Sequence, residues 1–435
     1  MKNYEEAFLN KIDQRKAVVA VVGLGYVGLP LALSFAEVGF QVLGLDVDET
    51  KVKKIGRRES YIGHISDERL KNTSNLFSAS TDFNLASQAD AIIICVPTPL
   101  TKEREPDLTY VLGTLKALLD YLRPGQLLSL ESTTYPGTTE EVLRPPIESK
   151  GLVIGQDFFL VYSPEREDPA NPDFKTQTIP KVLGGSTESS TRVGLALYGQ
   201  VVERMVQVSS TGAAELTKLL ENIYRAVNIG LVNELKVIAT RMGLDIHEII
   251  NAAATKPFGY TPFYPGPGIG GHCIPIDPFY LTWKARGYGV HTRFIELAGE
   301  INAGMPQYVV DKIAAALNDL AKPLKGAKIL LLGMAYKKNV EDMRESPSLE
   351  VLKLLTQAGS LVEYSDPHVP LMPRTRKGDF GLKSVELTPE NLGSYDAVVL
   401  LTDHRAFDKP FIHKHAKLVI DTRGAFPISP TVVKA

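Results

Sequence analysis

The run Gly23-Leu24-Gly25-Tyr26-Val27-Gly28 constrains this chain more than any other stretch, because of what flanks it. Ahead of it, Ala17 to Val22 is a short β-branched apolar run that suits a buried parallel strand. Behind it, apolar residues from Leu31 to Val38 fall at helical spacing and Gly39 ends the helix. Gln41 to Leu45 then reads as a second strand, closing on Asp46. A strand, glycine turn, helix, strand and acid in this order let backbone approach a pyrophosphate at a helix N-terminus, while the acid accepts the adenosine ribose hydroxyls. No arginine follows Asp46 to receive a 2′-phosphate, so NAD is expected rather than NADP. The plain alternative is a tight structural turn followed by a surface aspartate.

The alternation continues through Ala89 to Pro97 and Leu127 to Glu131, which read as further buried strands. Between Thr211 and Ala254 the strand signals stop. Leu216, Leu219, Leu220, Ile223, Val227 and Leu231 predict a long amphipathic helix with a surface for dimerisation. After Pro323 the opening pattern returns: a strand over Lys328 to Gly333, a helix over Ser348 to Thr356, and a second strand closing on Asp366. Its turn reads Gly333-Met-Ala-Tyr-Lys337-Lys338, so the dinucleotide fingerprint is gone, lysines replace it, and a different phosphate ligand is expected. The fold class is therefore α/β, with two Rossmann-like doubly wound domains joined by a central helical domain. The expected boundaries are residues 1–208, 209–318 and 319–435.

Composition narrows the function classes. A net charge of -2 with both signs dispersed gives no basic field for nucleic acid and no polybasic surface for a membrane. Two cysteines far apart exclude a disulfide framework and a thiolate metal cluster. Residues 1–15 lack the apolar core of a signal peptide, and the longest apolar runs are too short to span a bilayer, so a cytoplasmic setting is expected. The histidines, His64 and His291 among them, show no ligand spacing and no metal is proposed.

A second constellation runs from Pro265 to Asp277, reading Pro-Gly-Pro-Gly-Ile-Gly270-Gly-His272-Cys273-Ile-Pro-Ile-Asp277. So much glycine and proline makes a poor core element but a good ligand cradle. Cys273 is placed like a nucleophile, with His272 beside it and Asp277 four residues on. A buried structural cysteine is the competing reading, and it is the preferred one for Cys95, which lies in an apolar run.

These residues, with Gly333 to Pro347, resemble the UDP-glucose/GDP-mannose dehydrogenase family over about Val18 to Arg423. The form from Gly270 to Leu281 most resembles the branch acting on UDP-N-acetylglucosamine. The resemblance implies a four-electron oxidation of the sugar C6 alcohol through an aldehyde, a cysteine thiohemiacetal and a thioester, with two NAD reduced. It implies Cys273 as nucleophile, and Lys218 with Asn222 as donors to the developing oxyanion. Asp277 would orient water or the lysine, Thr133 would hold a catalytic water, and Glu165 would serve proton transfer in hydrolysis. The chain departs from the UDP-glucose enzymes after Glu165, continuing Arg166-Glu167-Asp168, which favours an N-acetylated sugar. Cofactor contacts are expected from Gly23, Gly25, Tyr26, Val27, Gly28, Asp46, Lys51, Pro97, Thr98, Thr133 and Arg344. Substrate contacts are expected from Glu165, Arg166, Lys218, Asn222, Phe263, Tyr264, Gly270, His272, Lys337 and Arg423. Phe258 to Tyr264 would line the ligand or belong to the core. UDP-N-acetylmannosamine and UDP-glucose are alternative substrates, and a nucleotide-sugar sensor without catalysis is the alternative of another class. The expected partners are a UDP-sugar and a second copy of the chain, as a homodimer or higher oligomer feeding surface polysaccharide synthesis.

Overall fold

A computed structural model describes residues 3–63, 65–101, 103–166, 177–271, 274, 276–373, 378 and 380–435. The chain divides into two compact units, residues 1–221 with 279–290, and residues 222–278 with 291–435.

The first unit is built on strands β1 (Val18–Val22), β2 (Gln41–Leu45), β3 (Phe77–Ser80), β4 (Ala91–Ile94), β5 (Gln126–Leu130), β6 (Phe158–Tyr162), β7 (Lys181–Gly185) and β8 (Met205–Gln207). They form one sheet in the order β3-β2-β1-β4-β5-β6-β7-β8. Neighbours run parallel except β6 and β7, which pair antiparallel through Val161 with Gly185 and Tyr162 with Gly184. Strands β4, β5 and β6 are buried along their whole length, as expected where helices cover both faces of a parallel sheet. Alternate residues feed two cores: Val19, Val21 and Ile93 enter one, Ala20, Val22 and Ile92 the other.

The second unit carries a five-stranded parallel sheet of β9 (Lys328–Leu332), β10 (Leu361–Ser365), β11 (Ala397–Leu400), β12 (Val419–Asp421) and β13 (Val432–Lys434), ordered β10-β9-β11-β12-β13. Its helical part comprises the greater part of the long helix Thr211–Arg241, then Ile246–Ala253 and Arg293–Asp319. In each sheet the strand order reverses beside the first strand of the unit, between β1 and β4 and between β9 and β11. Ligands of open α/β sheets sit at the carboxyl ends of strands at such a point.

The long helix has two apolar faces. Leu219 and Ile223 are buried, whereas Leu216, Leu220 and Leu231 are exposed. Its apolar residues are therefore shared between a buried face and a solvent face. Among the described residues, no helix is long and apolar enough to cross a membrane.

Candidate active site

At the end of β1 the chain turns through Gly23, whose φ of +90° places it in the region that favours glycine. A methyl group there would lie 2.7 Å from the Cys95 carbonyl oxygen, so the turn is wedged against the end of β4. Gly25 is different. A methyl group on it would meet no neighbour within 4 Å among the described residues. The helix Gly28–Glu37 that follows has no side-chain cap at its N-terminus and no acid in its first turn. Open space at Gly25 beside uncapped amides fits the pyrophosphate of a dinucleotide.

Asp46 follows β2 and is 5% exposed. Its carboxylate accepts from the Leu24 amide at 2.8 Å, the Asp48 amide at 2.9 Å and the Lys51 ammonium at 3.0 Å. These bonds use three of about four acceptor positions, leaving room for a ribose hydroxyl. The Tyr61 hydroxyl donates to the Leu24 carbonyl at 2.6 Å; burial first, then Asp46 and Asp48, pushes its titration well above the ordinary tyrosine value. Thr98 is buried, and its carbonyl accepts the Tyr280 hydroxyl at 2.6 Å, which fixes the Pro97–Thr98 segment after β4.

The carboxyl ends of β5 and β6 carry a network that sequence reading missed. Glu131 ends β5 and is 2% exposed; its Oε2 accepts from the equally buried Lys181 Nζ at 3.0 Å. Burial raises the Glu131 carboxyl against the pull of Lys181, while Glu131 and Glu165 together keep Lys181 charged. Lys181 also reaches the Pro164 carbonyl at 3.5 Å, and the Lys218 ammonium donates to the carbonyl of Glu165. Arg166 pairs with Glu221 at 2.6 Å and donates to the Pro180 carbonyl at 2.6 Å. The segment bearing Glu165 is thus held from several sides, and Glu165 Oε1 accepts the Arg166 amide at 2.6 Å. Thr133 is half-buried nearby in sequence. Its neighbour Thr134 is fully buried, with a hydroxyl that has no partner among the described residues. An acid directly following a strand, as Asp46 follows β2, was the one sequence signal for Glu131. Cys95, one residue past β4, has its thiol pushed up by burial and then by Glu131.

In the second unit, Asn222 and Asp277 are both buried, and the Asn222 amide donates to Asp277 Oδ2 at 2.5 Å. Asn222 lies one helical turn after Lys218. Cys273 and His272 lie outside the described residues, as do Glu167 and Asp168. The loop leading to them is described. A methyl group on Gly270 would lie 2.7 Å from the Tyr336 side chain and 3.2 Å from the Glu345 carbonyl. The stem of the cysteine loop therefore rests on the segment that carries Lys337. That segment is anchored by the Asn339 amide, which donates to His404 Nδ1 at 2.9 Å. Arg344 forms a bidentate pair with Asp342, with a shortest contact of 2.6 Å. Arg423 donates from Nε to the Leu401 carbonyl at 2.7 Å and lies against Gly266. Phe263 meets Tyr224 edge-on at 5.6 Å between ring centres and packs on the core of Val232, Ala239, Ile246 and Ile250. Phe258 and Tyr264 stay exposed, Tyr264 donating to Asn251 at 2.9 Å.

Profiles of the UDP-glucose/GDP-mannose dehydrogenase family match the chain in three consecutive pieces. Its NAD binding domain matches residues 17–202, its central domain residues 212–304 and its UDP binding domain residues 330–427. The chain is similar to a UDP-N-acetyl-D-glucosamine 6-dehydrogenase of Pseudomonas aeruginosa, 36% identical over 89% of this chain and 91% of that one. It is similar to a UDP-N-acetyl-D-mannosamine dehydrogenase of Methanococcus maripaludis, 34% identical over 89% of this chain and 86% of that one. Among solved structures, a UDP-D-ManNAc dehydrogenase of Pyrococcus horikoshii superposes with a TM-score of 0.85 at 32% identity, covering 95% of this chain and 97% of that one.

Proposed function

The chain belongs to the UDP-glucose/GDP-mannose dehydrogenase family, and from that premise we propose that it oxidises C6 of UDP-N-acetylglucosamine to the carboxylate. It is an NAD-dependent UDP-sugar 6-dehydrogenase; the proposal concerns which sugar it takes and which residues act. The observation that carries the residue assignment is the buried clasp between Asn222 and Asp277, since Asp277 ends the loop that bears Cys273.

When bound, NAD would supply the hydride acceptor for both oxidations, and the proton of each oxidised hydroxyl would pass to water. At the aldehyde level, the Cys273 thiolate adds to C6 and forms a thiohemiacetal, which the second oxidation converts to a thioester. Water then attacks the carbonyl carbon, the C–S bond breaks, and the thiolate leaves as the acid forms. Lys218 and Asn222 donate to the C6 oxygen as it gains charge. Asp277 orients the Asn222 amide by accepting its N–H at 2.5 Å. Glu165 accepts the proton of the attacking water, which Thr133 holds. Lys337, Arg423 and Arg166 serve the charged, polar body of the nucleotide sugar.

The same chemistry on UDP-N-acetylmannosamine is the second reading, favoured by the Methanococcus and Pyrococcus likenesses. A homodimer is proposed from Tyr224, Leu231, Leu235 and Ile238, all exposed and spaced along one helix as an apolar stripe that Met242, just past its end, continues. The setting proposed is cytoplasmic supply of precursors for surface polysaccharide.

The test is NADH formed per sugar consumed to completion, with UDP-N-acetylglucosamine, UDP-N-acetylmannosamine and UDP-glucose run side by side. A ratio near two, with the first sugar preferred, supports the proposal. A ratio near one leaves the aldehyde as product and removes Cys273 from the scheme, and preference for another sugar replaces the substrate.

A further inference from the structure

Lys236 lies on the long helix and is 2% exposed, yet its ammonium has no hydrogen-bond partner among the described residues. A buried amine left in this state is costly unless something else meets it. Two other groups around it are orphaned in the same way, the Tyr308 hydroxyl and His247 Nε2. The Lys236 ammonium stands 5.8 Å from the centre of the Tyr308 ring, and Lys312 faces that ring from 5.7 Å. Burial, then the charges of Arg423 and Lys312, bring Lys236 down to about 7 against the pull of Asp421. Asp421 makes no hydrogen bond to it among the described residues. That carboxylate already accepts the Arg423 amide at 2.9 Å, the Phe426 amide at 2.9 Å and the Lys434 ammonium at 2.8 Å. The His247 ring lies against Gly424 and faces Asp245 through Nδ1 at 3.5 Å.

We infer that Lys236, Arg423 and the Tyr308 hydroxyl form an oxyanion-binding site in the second unit, one that takes a phosphoryl group. Each supplies a donor, and guanidinium with ammonium is a pairing suited to phosphate oxygens. Burial strengthens such bonds, because little water competes for the donors. The anion would bring the counter-charge that Lys236 lacks and would draw a proton onto it. The ligand has two possible sources, the diphosphate of the UDP-sugar and an independent phosphate. Only the first rests on the UDP-sugar reading.

Calorimetric titration with UDP, uridine and inorganic phosphate, in two buffers of different ionisation enthalpy, reads affinity and proton uptake together. Near pH 7.5 the wild-type protein is expected to take up a fraction of a proton with phosphate or UDP and none with uridine. The groups facing the site that could contribute are Lys236, His247, Lys312, Tyr308, Arg423 and Asp421, so variants must assign the uptake. Lys236→Met should abolish uptake and weaken binding roughly ten- to hundredfold, as loss of one charge-assisted bond implies. Lys236→Arg, always charged, should keep binding and lose the uptake. Loss for UDP places the substrate diphosphate in the site, while loss for phosphate with UDP unchanged places an independent anion there. Wild-type binding without proton uptake, or equal affinity and uptake in Lys236→Met, overturns the inference. Turnover of UDP-sugars in the same preparations separates this outcome from failure of the substrate proposal.

Discussion

The turns that open the two sheets start alike and end differently. Gly23 and Gly333 both have positive φ, +90° and +83°, and both are wedged against the strand across the switch point, at Cys95 and at Thr402. Two residues on, Gly25 faces open space whereas Ala335 is completely buried. The acids closing the second strands diverge as well. Asp46 accepts one amide of its turn and pairs with Lys51, which is partly exposed. Asp366 accepts the Met334 amide at 2.6 Å and the Ala335 amide at 3.1 Å, and is closed off by the fully buried His404 at 3.1 Å. The first turn reaches its helix at Gly28; the second spends the residues before Pro347 on the loop that bears Lys337 and Arg344. One scaffold thus serves two ends: a cradle left open for a ligand, and a sealed pivot that presents a loop.

The sharpest way to break this contrast is Gly25→Val. No described residue lies within 4 Å of a methyl group placed there, so melting temperature should hold while kcat/KM for NAD falls by roughly a hundredfold or more. Unchanged NAD kinetics would show that the space has no ligand. Lys218→Met should lower kcat by roughly tenfold to a thousandfold, in the range of losing one oxyanion donor; a change confined to KM would make it a binding residue. Asp366→Asn tests the sealed turn. It leaves His404 and several amides poorly matched, and should cost about 1–3 kcal/mol in denaturant unfolding with NAD affinity intact. Burial alone would raise the Asp366 carboxyl, but the hydrogen bond from His404 and those from the His368 and Ala335 amides outweigh it and hold it low. Its stabilisation is therefore present at neutral pH and is lost as pH falls through that lowered value, below about 3.9. The variant's stability should accordingly vary less over that acid range. Lys51→Met should have the smallest effect, roughly twofold to threefold on KM for NAD, because a half-exposed ion pair contributes little.

What could be read in the sequence was what is local. Gly23, Gly25, Gly28 and Asp46 fall within one supersecondary unit, so spacing alone implied their shared turn. The echo at Gly333 and Asp366 was legible for the same reason, although nothing in it disclosed His404, which meets Asp366 across 38 residues. Glu131 and Lys181 are 50 residues apart and meet only because β5, β6 and β7 are neighbours. The reversal between β6 and β7 carries no periodic signal, since strands buried on both faces look alike in either direction. Lys236 reads as one more solvated charge on a helix, and only packing reveals its burial. Asn222 and Asp277 were each legible by resemblance, whereas their bond, across 55 residues, was not.

The filled position at Ala335 also acts as a ratchet. Placing glycine there would remove a buried methyl from the core and leave a void, while the Asp366 oxygen remained engaged by His404 and two amides. Removing His404 first would strand the Asn339 amide and loosen the loop that holds Lys337. Each single step toward a dinucleotide cradle lowers stability before any ligand can compensate. The second turn is therefore free to vary in what its loop presents, but not to take on what the first turn does.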